Sequence, residues 1–236
     1  MPVIIPMASG KEVVVKPGKI VCLGLNYLEH IKESQSVNVQ NFTDEIPEEP
    51  VLFPKTPNVI VGPNDPIVLP AFVQEYAFTD PRTDYEGELA LIIKDRCKDL
   101  AEAEVMEHIL GFTCFNDVSQ RNLQRGDKSG WYRGKSLDTF GPIGPVIVPP
   151  EAIGDVQNLD IQTRLNGKIV QQSNTRHMIF SVPQLVAFIS KNFTLEPGDV
   201  ISTGTPSGVG PLADGDVVEV EIEGIGVLRN PVLAEA

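Results

Sequence analysis

The stretch DYEGELALIIK, residues 84–94, decides the fold class, because it alternates with a strict period of two. Tyr85, Gly87, Leu89 and Leu91 fall on one side, and Glu86, Glu88 and Ala90 fall on the other, which is the signature of a β-strand. Both glutamates then share a face. Two readings follow. An alternating acid pair ordinarily marks the solvent side of an antiparallel strand. Alternatively, both carboxylates point into one cavity, where their repulsion is costly unless a cation sits between them.

Downstream, Leu100 to Leu110 has helical composition, and GFTCFNDVS reads as a buried strand ending at Asn116 and Asp117. A carboxylate at the end of so apolar a strand is expensive to bury without a partner. Together with Glu86 and Glu88 it would make three hard oxygen ligands without a nearby His or Cys, a set that favours Mg²⁺, Mn²⁺ or Ca²⁺ over Zn²⁺ or Fe²⁺. A polar loop from Gln120 to Gly134 delivers Lys135, and a Pro/Gly-rich bend follows. Residues Asp160 to Val170 predict a hairpin turning at Asn166-Gly167, the composition of a type I′ turn. Ser181 ahead of VPQLVAFISK, with Pro183 early in the run, predicts a capped helix. The chain closes with strand, glycine-rich loop and hairpin in DVISTGTPSGVG and DVVEVEIEGIGVLRNPV.

Upstream, KIVCLGL (Lys19 to Leu25) predicts a buried strand, and NYLEHIKESQS a helix that places His30 and Glu33 at i and i+3 on one face. Val37 to Pro50 is a long polar segment, of the kind that is usually functional or mobile. Short β segments follow in VLFPK, NVIVG and DPIVLP, and a loop runs from Ala71 to Thr83. No repeat or low-complexity tract marks a linker, so the expected organisation is a short lead-in, 1–18, and one domain, 19–236. Twenty glycines and twenty prolines spread over 236 residues support many short strands with few helices, an α+β, strand-rich class.

A net charge of −13 argues against nucleic acid and anionic membrane surfaces as partners, since both are bound by clustered Lys and Arg. Cys22, Cys97 and Cys114 are odd in number and lack C-x-x-C spacing, which fits a reduced, cytoplasmic setting. No run reaches membrane-spanning length, and the N-terminus lacks the basic region and cleavage site of a signal peptide.

His30 with Glu33 has the form of a carboxylate-oriented general base, although such pairs are also common on exposed helix faces. Lys135 could hold an anion as a point charge, or be merely solvated. STGTPSGVG, residues 202–210, offers backbone N–H groups and hydroxyls to a carboxylate but lacks the lysine and spacing of a phosphate-binding loop. His108 and His177 have no partner in a recognisable spacing and read as structural.

Taken in order, KIVCLGLNYLEHIKE, PVLFPKTPNVIVGPNDPIVLP, DYEGELALII, GFTCFNDVSQRNLQ, GKSLDTFGPIGP, LNGKIVQQSNTRHMIFSVPQLVAFIS, LEPGDVISTGTPSGVG and DGDVVEVEIEGIGVLRNPV resemble the fumarylacetoacetate hydrolase family, in its short single-domain branch. That branch includes acylpyruvate hydrolases, oxaloacetate decarboxylases and the isomerase/decarboxylase of homoprotocatechuate breakdown. The resemblance implies a mixed β roll and sandwich with few flanking helices, usually as a homodimer. It makes Glu86, Glu88 and Asp117 ligands of Mg²⁺, with Mn²⁺ and Ca²⁺ as alternatives. His30 and Glu33 become a water-activating pair on a lid, and Lys135 the lysine beside the metal. Arg121, Gln124 and Thr205 line the pocket of a small 2-oxo acid or dicarboxylate. The implied chemistry is hydrolysis, decarboxylation or isomerisation through a metal-stabilised enolate, and the competing expectation is a non-catalytic metal-binding protein that keeps the fold. Leu25 departs from acylpyruvase-like members, some of which carry arginine between the Gly and Asn of this motif.

Overall fold

The alternation read at residues 84–94 holds over Gly87–Ile93 but breaks at Glu86, which separates that strand from Thr83–Tyr85, so Tyr85 lies on the side of Ala90 and not on that of Leu89. The chain is described by a computed structural model over residues 3–36, 46–126 and 131–235. Gly87–Ile93 is buried along its whole length, because it lies at the centre of a seven-stranded sheet. The order across that sheet is Val51–Lys55, Ile20–Gly24, Val200–Ser202, Gly87–Ile93, Ile109–Asn116, Gly141–Val148 and Ile60–Val61. Leu89, Leu91 and Ile93 enter one hydrophobic core, while Tyr85, Ala90 and Ile92 enter a second. A strand with a core on each side has no solvent face, and Glu86 and Glu88 are only 4% and 1% exposed.

A five-stranded sheet covers the first core, in the order Lys168–Asn174, Asp160–Leu165, Val217–Ile222, Gly226–Ala234 and Ile67–Leu69. Its first two strands form the expected hairpin. Asn166 and Gly167 have φ of 52° and 77°, the left-handed pair that a type I′ turn demands. Three pairings in the two sheets are parallel, Val200–Ser202 with Ile20–Gly24, Gly141–Val148 with Ile60–Val61, and Gly226–Ala234 with Ile67–Leu69, and the rest are antiparallel. The architecture is a strand-rich α+β fold of curled mixed sheets.

The helices are α1 (Leu28–Ser36), α2 (Arg121–Gly126), α3 (Tyr132–Lys135), α4 (Pro150–Ile153) and α5 (Val182–Asn192). The last begins in a capping box: Ser181 N–H donates to Gln184 Oε1 at 2.8 Å and Gln184 N–H to Ser181 Oγ at 3.4 Å. Its Leu185, Val186 and Ile189 seal the first core.

Several local expectations change. Leu100 to Leu110 is not an α-helix; a 3₁₀ segment, Glu102–His108, gives way directly to the strand Ile109–Asn116, whose apolar run is claimed by the sheet. The polar loop from Gln120 to Gly134 is partly helical, as α2 and α3, with 127–130 outside the described residues. Within the Pro/Gly-rich bend lies an eight-residue strand, Gly141–Val148. Ile143, Ile147 and Val148 are buried there, and a register shift between Gly144 and Val148 absorbs the proline that a regular ladder would reject. The lead-in is a hairpin, Val3–Pro6 with Glu12–Val15, that buries Val3, Ile5 and Val15 in the second core. Of the polar segment Val37 to Pro50, residues 37–45 lie outside the described residues, and the loop after Ala71 opens with a 3₁₀ turn, Ala71–Glu75. Cys22, Cys97 and Cys114 are free and buried, and no described helix is long and apolar enough to cross a membrane.

Candidate active site and metal centre

Strand register assembles the acidic cluster. Gly87 pairs with Asn116 and Glu88 with Phe115, so the residue after the strand, Asp117, falls opposite Glu86. Asp117 N–H donates to Glu86 O at 2.9 Å, and Asn116 Oδ1 accepts from Glu86 N–H at 2.9 Å. One carboxylate oxygen from each of Glu86, Glu88 and Asp117 lies within 4.8 Å of the others, and all three residues are buried. Glycine is required between the glutamates: a Cβ at residue 87 would stand 2.1 Å from Thr163 Oγ1 on the hairpin of the other sheet.

Three cations face these acids. Lys135 Nζ, delivered by α3, donates to Glu86 Oε2 at 2.7 Å and to Asp117 Oδ2 at 2.6 Å. Lys55 Nζ, from the edge strand, takes the other oxygen of Asp117 at 2.5 Å and Val118 O at 3.0 Å. Arg121, at the start of α2, directs Nη2 to Glu86 Oε1 at 2.5 Å, Nε to Asp84 at 2.8 Å and Nη1 to Gln124 at 3.0 Å. Burial alone would raise Glu86, but Lys135 and Arg121 outweigh it and hold that carboxyl well below the usual range. Burial likewise lowers Lys55, whereas for Lys135 the pull of Asp117 and Glu86 prevails and raises it.

Glu88 differs from its neighbours. Its Oε2 accepts from Ser202 O–H at 2.5 Å and Gly204 N–H at 2.9 Å, and neither donor carries a charge. Burial first, then Asp117 and Glu86, push its carboxyl well above the ordinary value. A buried carboxylate repelled by two others is stabilised most by a cation shared among all three. The donor set, three carboxylates and no nitrogen or sulfur, fits a hard divalent ion.

The cluster opens on a pocket of about 380 Å³, solvent mouth included. His30, Glu86, Glu88, Arg121, Gln124, Lys135 and Thr205 all line it, with Asp117 behind Lys135. His30 Nδ1 lies 3.4 Å from Glu33 Oε2, and both Glu33 oxygens accept from Gly208 N–H, at 3.1 and 2.9 Å. Although burial opposes it, the contacts with His30 and Gly208 lower the Glu33 carboxyl and keep it ionised. Gln124 Oε1 is taken by Arg121, which leaves its amide NH₂ to a ligand. Thr205 Oγ1 donates to Gly87 O at 2.9 Å. Leu25 lines the same pocket with φ of 58°, a conformation that costs an L-residue about 1–2 kcal/mol. The flanking Asn26 holds it there, bonding Phe180 N–H and O and Thr203 O.

Seven of the nine candidate residues thus line one pocket, and the other two, Asp117 and Glu33, are bonded to its Lys135 and His30. Sequence reasoning missed Lys55, Asp84, Trp131, which lines the pocket, and Gln171, which accepts from Gly87 N–H; Ser202 stood in the loop read as a carboxylate cradle, and the carboxylate it holds is that of Glu88. Lys55 carried a signal, since its side chain shares a strand face with Phe53 in VLFPK, where a lysine has no reason to be unless it meets a buried charge. Asp84 becomes visible only once Arg121 is known to be buried beside it.

Residues 19–233 match the family model described as Fumarylacetoacetate (FAA) hydrolase C-terminal. The chain is 43% identical over 229 residues to the mitochondrial oxaloacetate tautomerase fahd2 of Xenopus laevis, covering 93% of this chain and 67% of that protein. The structure is similar to that of 2-hydroxyhepta-2,4-diene-1,7-dioate isomerase from Mycobacterium marinum, with a TM-score of 0.80, 40% identity, and 97% and 82% of the two chains covered. It is also similar to maleylpyruvate hydrolase from Sphingobium sp. SYK-6 in complex with manganese(II) ion and pyruvate, at a TM-score of 0.77, 31% identity, and 94% and 73% coverage.

Proposed function

The chain belongs to the fumarylacetoacetate hydrolase family, and from that premise we propose that it is a divalent-metal enzyme moving a proton on the carbon beside the keto group of a small 2-oxo acid. Keto–enol tautomerisation or the related double-bond isomerisation is the first reading. The observation that carries it is His30, held by Glu33 and lining the same pocket as Glu86 and Glu88. The kinship with an oxaloacetate tautomerase and with a dienedioate isomerase supports it.

Glu86, Glu88 and Asp117 would hold the ion, Mg²⁺ first and Mn²⁺ next. When bound, it supplies a Lewis acid toward the carboxylate and keto oxygens of the substrate. The chain's own residues do the rest. An ionised Glu33 accepts from His30 Nδ1–H, which leaves Nε2 as the base that removes the proton from carbon and returns it. Lys135 uses two of its three N–H donors on Glu86 and Asp117, and the third can stabilise the oxygen on which negative charge grows. Gln124 offers its amide NH₂ to a distal carboxylate, and Phe53 and Trp131 wall the pocket against water.

C–C bond hydrolysis is the second reading, favoured by the likeness to a hydrolase solved with manganese(II) and pyruvate. There His30 Nε2 would take the proton from water instead of from carbon. The deciding experiment follows loss of enol absorbance with oxaloacetate, an acylpyruvate and a hydroxydienedioate, with Mg²⁺, with Mn²⁺ and after chelation. Metal-dependent ketonisation of enol-oxaloacetate, lost in His30→Gln, is expected. A protein that turns over none of the three with either metal is non-catalytic, and the proposal fails.

A further inference from the structure

Gln171 plays no part in the chemistry above, yet it reaches between the two glutamates from the other sheet. It is 1% exposed, on the strand Lys168–Asn174. Its Oε1 accepts from Gly87 N–H at 3.0 Å, and its Nε2 donates to Thr205 Oγ1 and Pro206 O, both at 2.9 Å. Thr205 Oγ1 in turn donates to Gly87 O at 2.9 Å. These bonds close a ring through Gly87, Gln171 and Thr205.

The ring holds both peptide groups of Gly87. The N–H belongs to the peptide that joins it to Glu86, and the C=O to the peptide that joins it to Glu88. An ordinary sheet would fix these groups with a ladder, but the neighbouring strand Val200–Ser202 ends its pairing at Ala90. Gln171 and Thr205 therefore supply the two partners that the ladder omits. The same side chain pins the glycine-rich loop at Pro206, two residues before the Gly208 N–H that holds Glu33.

We infer that Gln171 is a positioning residue, whose carboxamide fixes the relative directions of the Glu86 and Glu88 carboxylates and of the Thr205 hydroxyl, and so sets the affinity of the site for a divalent cation. This rests on the proposed metal reading of the acidic cluster. Thr163 offers an internal control, because it packs on Gly87 from the paired strand while its Oγ1 has no hydrogen-bond partner.

Mn²⁺ affinity of the full chain, measured by titration calorimetry after chelator treatment, tests it. Gln171→Met is expected to bind Mn²⁺ about 10- to 100-fold more weakly than wild type, the usual cost of losing a residue that orients a metal ligand. Gln171→Glu keeps an acceptor for Gly87 N–H and should lose about 3- to 10-fold, less than the methionine variant because one contact survives, while Thr163→Val binds as wild type does. Wild-type affinity in Gln171→Met overturns the inference, and so does an equal loss in Thr163→Val, which would reduce the effect to packing. If Gln171→Met does not fold, Gln171→Glu decides, and affinity unchanged from wild type overturns the inference. A wild-type chain that binds no Mn²⁺ overturns the metal reading and the inference together, a result distinct from intact binding in the variants.

Discussion

Replacing Lys55 with methionine removes a charge that no solvent can reach. The Lys55 side chain is 0% exposed, and its ammonium bonds Asp117 Oδ1 at 2.5 Å and Val118 O at 3.0 Å. Methionine fills much of the same volume, so the cost is electrostatic: Asp117 stays buried with one cation fewer and the Val118 carbonyl loses its donor. Breaking a buried pair from one side costs about 3–5 kcal/mol. The low end applies here, because Asp117 keeps Lys135 at 2.6 Å. For a chain of this length each kcal/mol moves the melting temperature by about 2–4 °C, so Lys55→Met should melt roughly 6–12 °C below wild type in chelator. Thermal melts of both proteins, with chelator and with saturating Mn²⁺, provide the assay. The gap should narrow with Mn²⁺, whose charge compensates Asp117 in place of the lost ammonium. A variant that melts with wild type in chelator would refute the assignment of Lys55 as a cation for the acidic cluster.

Two further outcomes follow from the same geometry. Glu33 is held below the ordinary glutamate value, so its ionised contacts stabilise the fold above about pH 4.3 and are lost as pH falls through the lower folded value; the stability gap between wild type and Glu33→Gln, measured by denaturant melts, should close across that window, and a gap that stays constant contradicts it. Gly87→Ala places a methyl group against Thr163 Oγ1 and should cost about 1–3 kcal/mol by chemical denaturation, with part of the loss recovered in Gly87→Ala/Thr163→Ala and none recovered if the clash is not the cause.

The sequence carried the site further than its local structure. The period of two at 84–94 was enough to put Glu86 and Glu88 on one face, but which face was buried depended on strands far along the chain, Val200–Ser202 and Ile109–Asn116. Asn166-Gly167 and Ser181 were legible because turn and cap chemistry are local. Gly141–Val148 was not, since glycine and proline usually break strands, and here the neighbouring strand and a register shift overrule them. Resemblance, more than residue type, singled out Lys135, Arg121, Gln124 and Thr205; the geometry adds that Arg121 divides its donors among Asp84, Glu86 and Gln124. Gln171 had no sequence signal, because its importance lies in crossing from one sheet to the other.

The proposed chemistry needs Glu86, Glu88 and Asp117 to hold one divalent cation among them, and anomalous diffraction from a crystal of the protein soaked in Mn²⁺ shows whether they do. One peak in contact with all three carboxylates, absent from Glu88→Gln crystals treated alike, is the predicted result. A peak elsewhere, or none with Lys135 still bridging Glu86 and Asp117, would contradict it.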